Sequence, residues 1–233
     1  MRRALVVSIL LLAWPAFADG EAPSLPNTTI LELKLGFYQP RVQDSPGVMG
    51  NPYVQTFGNS DMLLGEVEVD RSFWRKYGYL GIAFSVAYGE KYAKALLSDG
   101  SPSAESTGLI VLPIRLMAVY RYDVLARAFH IPLVPYAMLG GVCYPWWTNK
   151  GGSVEIVNGE KGQGVRWGWG FTVGLALELA FLNPTYAREA KEDSGIYNFY
   201  LFGEFNDDFA NNFGAAGINL GSAYFTFGIA FEF

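Results

Sequence analysis

The side chains that could do chemistry in this chain are few and widely spaced. Glu32 and Lys34 stand two apart, as do Glu66 and Glu68. Arg115, Glu178, Glu204 and Glu232 are scattered singly along the rest. Each lies in a stretch of alternating apolar and small or polar residues, and a period of two puts it on one face of a β-strand. Carboxylates and a few cations gathered on such faces can pair as ions, hold water or line a conduit. Nucleophilic chemistry has less to stand on. There is one histidine, His130, and one cysteine, Cys143. A hydroxyl or thiol nucleophile needs a base within hydrogen-bond reach, and His130 reads as a turn residue and Cys143 as a packing residue. A lone cysteine also excludes an internal disulfide. No Cys/His cluster has metal-ligand spacing, and "NDDF" at 206–209 lacks the pattern of a calcium loop and reads as a solvated loop tip. "GEKGQG" at 159–164 lacks the strand–loop–helix order of a phosphate site. No catalytic, cofactor-binding or metal-binding residue is assigned.

Eight segments could position the charges. "TILELKLGFY" sets Leu31, Leu33, Leu35 and Phe37 against Glu32 and Lys34. "DMLLGEVEVD" sets Leu63, Val67 and Val69 against Glu66, Glu68 and Asp70. "YLGIAFSVAYG" opposes Leu80, Ile82, Phe84, Val86 and Tyr88 to Gly, Ala and Ser. "GLIVLPIRLMAVYRY" carries Arg115 and Arg121 opposite Ile110, Leu112, Ile114, Leu116, Ala118 and Tyr120. "PLVPYAMLGGVCY" is apolar on both faces, so its register is open. "WGWGFTVGLALELAF" opposes Phe171, Val173, Leu175, Leu177 and Leu179 to Thr172, Gly174, Ala176 and Glu178. "IYNFYLFGEF" opposes Tyr197, Phe199 and Leu201 to Asn198, Tyr200 and Glu204. "AYFTFGIAFEF" ends the chain on Phe225, Phe227, Ile229, Phe231 and Phe233, with Glu232 in the other register.

Wherever the register is clear, charge falls only opposite the apolar set. In the third and sixth segments the face opposite is almost wholly Gly, Ala, Ser and Thr, unlike the Lys, Glu and Gln of a water-washed strand, and small residues interleaved with a few charged ones suit a narrow lumen. The apolar face then meets lipid. Links alternate between long and short, apart from a 14-residue link after the sixth segment that contains a short helix opened by Pro184. These features predict an all-β fold: an eight-stranded antiparallel up-and-down transmembrane β-barrel, with long extracellular loops and short periplasmic turns.

The chain starts with Arg2 and Arg3, an apolar run from Ala4 to Leu12 and an A-x-A site at Ala16–Ala18. This is the pattern of a secretory signal peptide over residues 1–18. Residues 19–28 follow as a short periplasmic segment, and 29–233 form the barrel. Aromatics make up 16% and charged residues 17%, below the roughly 25% charge of a typical soluble chain. The apolar stretch at 131–147 is broken by Pro and Gly and cannot cross a membrane as a helix. A net charge of −5 without a basic run argues against nucleic acid as a partner.

Trp146, Trp147, Trp167 and Trp169 flank one long link, and Trp74 and Tyr77 a short one. Indole and phenol rings prefer the bilayer interface, so these form an aromatic girdle at the two rims; a ligand-stacking role is the alternative. The inward charges Glu32, Lys34, Glu66, Glu68, Arg115, Glu178, Glu204 and Glu232 form a polar network that plugs the lumen or, alternatively, lines a narrow pore.

On "LELKLGFYQP" at 31–40 and "NPTYAREAKEDSGIYNFYLFGEF" at 183–205, the chain from about Thr29 onward resembles the small eight-stranded outer-membrane barrels, the OmpA/OmpX/OmpW-like group. The resemblance implies the outer membrane of a Gram-negative bacterium. Lipid bilayer, lipopolysaccharide, signal peptidase and the barrel assembly machinery are the implied partners, the last reading the terminal Phe233 on its alternating aromatics. It implies an architecture rather than an activity. The expected role is non-enzymatic: structural, or binding through the outer loops. Narrow-channel or OmpW-like transport of small hydrophobic molecules is the alternative, ahead of a lipid A-modifying enzyme. Pro132, Pro135 and Pro145 in the fifth segment would suit a lateral opening.

Overall fold

The computed structural model describes residues 28–96, 102–150, 153–154, 156–157, 160–182 and 184–233. The expected signal peptide, and all of 19–28 except Thr28, lie outside the described residues. The strands are β1 (Thr29–Tyr38), β2 (Met62–Arg75), β3 (Tyr79–Leu96), β4 (Pro102–Val111), β5 (Ile114–Arg121), β6 (Leu133–Lys150), three two-residue strands β7 (Ser153–Val154), β8 (Ile156–Val157) and β9 (Glu160–Lys161), then β10 (Gln163–Glu178), β11 (Asn198–Phe209) and β12 (Ser222–Glu232). Short helices α1 (Pro52–Phe57), α2 (Val124–Phe129) and α3 (Pro184–Ser194) lie in the links. No helix of the described residues is long and apolar enough to cross a membrane.

β4 and β5 are one stave. Val111 pairs with Gly89 and Ile114 with Val86, so the register runs on through Leu112 and Pro113. Pro113 has no N–H to give, but its carbonyl accepts from Ala87 at 2.8 Å. Each long strand pairs antiparallel with the next, and β12 pairs with β1, Leu31 opposite Phe231 and Leu33 opposite Ile229. The ring of eight staves is therefore closed, and closure leaves no sheet edge. At the seam Thr29 and Phe233 exchange backbone bonds of 3.0 and 2.8 Å, so the last residue is built into the ladder.

One circuit of the ladders runs from Ile30 through Asp70, Ala83, Met117, Gly140, Gly170 and Asp208 to Ser222. Carrying the β12–β1 register onward, as the bond from Arg41 N–H to the Gly221 carbonyl does, returns to β1 at Pro40. The stagger of about ten residues tilts eight strands by roughly 35–45° and leaves an interior that side chains can fill.

The alternation is realised on every stave. Leu35, Leu116, Leu139, Val173, Phe225 and Phe227 stand exposed on the outside, with 55–60% of their surface free. The inside is packed. A cluster near the chain ends contains Ile30, Tyr79, Met117, Val134, Tyr136, Tyr200 and Phe202. A second, near the long links, contains Tyr38, Tyr53, Met62, Leu64, Val111, Tyr144, Leu220 and Tyr224. β6, whose register the sequence left open, turns Val134, Tyr136, Met138, Val142 and Tyr144 inward and Ala137, Leu139 and Gly141 outward.

The strands are longer than the hydrophobic pattern. β3 runs to Leu96 and β4 starts at Pro102, through what reads as a long loop; β6 likewise extends to Lys150 and β10 starts at Gln163. "NDDF" is not a solvated loop tip: it is the end of β11, with Asn206 and Asp208 fully buried. The β6 prolines open no gap either. β6 pairs with β10 without a break from Leu133 to Trp147, and the carbonyls of Pro132, Pro135 and Pro145 accept from Glu178, Tyr122 and Leu112 at 2.8–2.9 Å. An antiparallel strand tolerates a missing donor where the neighbouring bonds hold the ladder.

Candidate functional site

The site is the lumen between the two apolar clusters. Period two sends Glu32 and Lys34 inward from β1, Glu66, Glu68 and Asp70 from β2, and Ser85 from β3. Arg115 and Arg121 come from β5, Thr172 from β10, Glu204, Asn206 and Asp208 from β11, and Thr226 from β12; all are buried.

Lys34 is the hub. Its Nζ lies 3.0 Å from both Glu204 Oε1 and Glu68 Oε2, 3.2 Å from Glu32 Oε2 and 3.9 Å from Glu66 Oε1. Glu204 is fully satisfied: it accepts from Lys34 and from Thr226 Oγ1 (2.7 Å) on one oxygen, and from the Tyr136 hydroxyl (2.8 Å) on the other. Toward the long links, Arg115 donates to Thr172 Oγ1 (2.7 Å) and Asn206 Oδ1 (3.0 Å) and sits 3.3 Å from Asp208 Oδ1. The hydroxyls of Tyr144 and Tyr224 donate to Asp208 Oδ2 at 2.6 and 3.2 Å. Toward the chain ends, Arg121 bridges Glu32 and Asp70, its guanidinium 4.4 Å from the Tyr136 ring centroid. At that mouth Arg75 pairs with Asp123 and Glu232, both at 3.0 Å, and the Tyr200 hydroxyl donates to Glu232 at 2.6 Å.

Of the network expected from the sequence, Glu32, Lys34, Glu66, Glu68, Arg115 and Glu204 meet mid-lumen, and Glu232 joins at the mouth. Glu178 stands half-buried at the end of β10, paired across the ladder with Tyr200, and joins no ion pair of the described residues. The apolar alternation stops short of Asn206 and Asp208, and Asp70 and Arg121 share the inward register without figuring in the expected network. The only signal for Asp208 was its even spacing from Glu204, carried past the end of the apolar alternation.

Mid-lumen, Glu32, Glu66, Glu68, Asp70, Glu204 and Asp208 face Lys34, Arg115 and Arg121 among the described residues, an excess of three carboxylates. Glu66 has no hydrogen bond and meets Lys34 and Arg115 only at 3.9 Å, Glu68 has only the Lys34 ammonium on Oε2, and Ser85 Oγ has no hydrogen-bond partner. Such groups are costly when dry, so this centre is a natural place for ions, protons or water.

Glycines make room for the network. A Cβ at Gly174 would collide with the Tyr136 ring, which lies across β10 to reach Glu204, and one at Gly170 would collide with Asp208. Gly174→Val is therefore expected to cost about 1–3 kcal/mol by overpacking and to displace Tyr136. Urea titration of the folded barrel reads the first effect and tyrosine near-UV dichroism the second.

At the rims, Trp74, Tyr77, Trp167 and Trp169 are exposed on the outside. A β-bulge between Ser72 and Trp74 lets the successive Phe73 and Trp74 both face out. Trp169 stacks on Phe209 at 4.4 Å, and Trp147 is half-buried. Trp146 is a correction to the girdle. Neighbours on a strand point to opposite faces, so it turns inward and packs on the cluster around Tyr144. Tyr79, the first residue of β3, is also inside. His130 is exposed as the left-handed C-cap of α2 (φ 56°), and Cys143 faces outward, half-buried, opposite Trp167. In the first long link the Tyr53 phenol is pushed up to about 12, chiefly by burial, with Asp61 adding to it.

No family model matches the chain, and no curated protein does. Solved structures do resemble it. The outer membrane protein OprG from Pseudomonas aeruginosa is 10% identical with a TM-score of 0.47, over 89% of this chain and 96% of that one. Neisserial surface protein A is 11% identical with a TM-score of 0.44, over 89% and 97%. The Yersinia pestis attachment invasion locus protein Ail, in complex with the heparin analogue sucrose octasulfate, is 10% identical with a TM-score of 0.43, over 89% and 97%. The fold assignment stands on the closed ladder of this chain.

Proposed function

We propose that this chain is a non-enzymatic outer-membrane β-barrel with a plugged lumen. In this reading it is a structural or binding protein of the envelope whose specificity lies in the long outer loops. The observation that carries the reading is the sorting of residues in a closed ring: every long stave is oily outside, while buried ions cross-link the inside. Only a solvent of acyl chains makes that exterior favourable. The bilayer and lipopolysaccharide surround the apolar band, Trp74, Tyr77, Trp147, Trp167 and Trp169 anchor it at the interfaces, and Phe233 serves the assembly machinery as its recognition end. A leader over residues 1–18, removed by signal peptidase, delivers the chain.

Fractionation with gels of unheated and boiled samples tests the barrel. The protein is expected in the outer membrane, migrating faster before boiling than after; recovery as a detergent-free soluble monomer would refute it. Planar bilayers test the plug, and silence is expected, because Lys34, Arg115 and Arg121 tie β1, β2, β5, β10 and β11 across the lumen. The carboxylate excess favours a second reading, a narrow cation conduit, which predicts steady ohmic steps with cation selectivity.

A further inference from the structure

We propose that the lumen holds a calcium ion between Glu32, Glu68 and Asp70. Carboxylate oxygens of these three buried residues all lie within 4.8 Å of one another. A cation at the centre of a triangle of that edge sits at most about 2.8 Å from each corner. A small inward turn then gives the 2.3–2.6 Å of calcium, whereas magnesium would need collapse to 2.0–2.1 Å and octahedral order. An all-oxygen donor set does not select soft metals.

Two further observations point to an occupant. Glu66, 4% exposed, has neither oxygen hydrogen-bonded and reaches Arg115 and Lys34 Nζ only at 3.9 Å, the latter the same ammonium that touches Glu32 and Glu68. Ser85, 1% exposed, pairs directly across from Glu68 and its Oγ has no partner. A buried hydroxyl facing a carboxylate without bonding it is placed to be a neutral ligand of something between them. Lys34 and Arg121 do not fill the role. They leave Glu68 Oε1 and Asp70 Oδ1 without a hydrogen bond, and the mid-lumen still lacks three positive charges among the described residues. A divalent ion removes two of the three at the point where the carboxylates crowd most.

The test uses the mature chain, refolded in lipopolysaccharide-free detergent micelles with calcium or with EDTA. Folding is followed by gel mobility. After desalting, calcium is counted by elemental mass spectrometry, and terbium emission excited through tyrosine reports a site beside Tyr79 and Tyr136. The expected result is one calcium per folded chain. Glu68→Gln and Asp70→Asn should fold and weaken binding by at least about tenfold, while Asp61→Asn, in the outer loop, leaves it unchanged. A wild-type barrel that folds in calcium yet carries none after desalting overturns the proposal and makes protons the balancing charge. Undiminished binding in both lumen variants also overturns it, placing the ion on the surface.

Discussion

Replacing Lys34 with methionine is expected to cost the folded barrel about 3–5 kcal/mol, the range for removing one partner of a buried ion pair. Methionine nearly matches the length of the lysine stem, so little cavity is left. The cost is electrostatic: Glu32, Glu66, Glu68 and Glu204 all lie within 4 Å of the missing ammonium. Each would then face like charges in a space sealed by apolar clusters at both ends. Urea titration of refolding into vesicles, in EDTA and scored by gel mobility, measures the change. A double variant, Lys34→Met with Glu68→Gln, removes one repelling charge and should recover at least about 1 kcal/mol, a coupling expected only of residues in one network. If the single variant lies within about 0.5 kcal/mol of the parent, as an ordinary surface change does, the ion cluster does not hold the lumen closed.

The second large effect belongs to the outer face. Val173 is 55% exposed and lies in the apolar part of β10, between outward Ala137 on β6 and Phe205 on β11. Arginine there should cost about 2–4 kcal/mol in a bilayer, since its charge must sit in hydrocarbon. Val165→Arg, beyond Trp167 and Trp169 on the same strand, should cost only about 0–1 kcal/mol, because the guanidinium reaches the headgroups. In water neither change would matter much, for both sites are open. Equal, small effects at the two positions would therefore remove the bilayer from the reading, and a graded pair would locate its midplane.

Much of this molecule is written in the alternation of its residues. On seven of eight staves the oily set could be assigned to one face because the other holds charges or small residues, and burying the wrong face in lipid would strand those charges. That logic placed Glu32, Lys34, Glu66, Glu68, Arg115 and Glu204 inside before any contact was known. It failed on β6, where both faces are apolar and neither is penalised. There the packing decided: Tyr136 turns in because its hydroxyl reaches Glu204 across a glycine, Gly174, and Leu139 turns out to lipid.

The strand ends were also illegible, for a different reason. Apolar alternation is demanded only where lipid touches the barrel, while the hydrogen-bond ladder continues as long as two backbones stay side by side. Asp208 thus reads as a loop residue although it holds the Tyr144 and Tyr224 hydroxyls, and Trp146 reads together with Trp147 although a strand must send them apart. The sequence by itself determined the faces, because a period of two and the cost of a charge in hydrocarbon are local. Which charge meets which was decided only by closure of the ring. The stagger of the staves brings Glu204 of β11 to Lys34 of β1, 170 positions away in the chain, and no local pattern carries that offset.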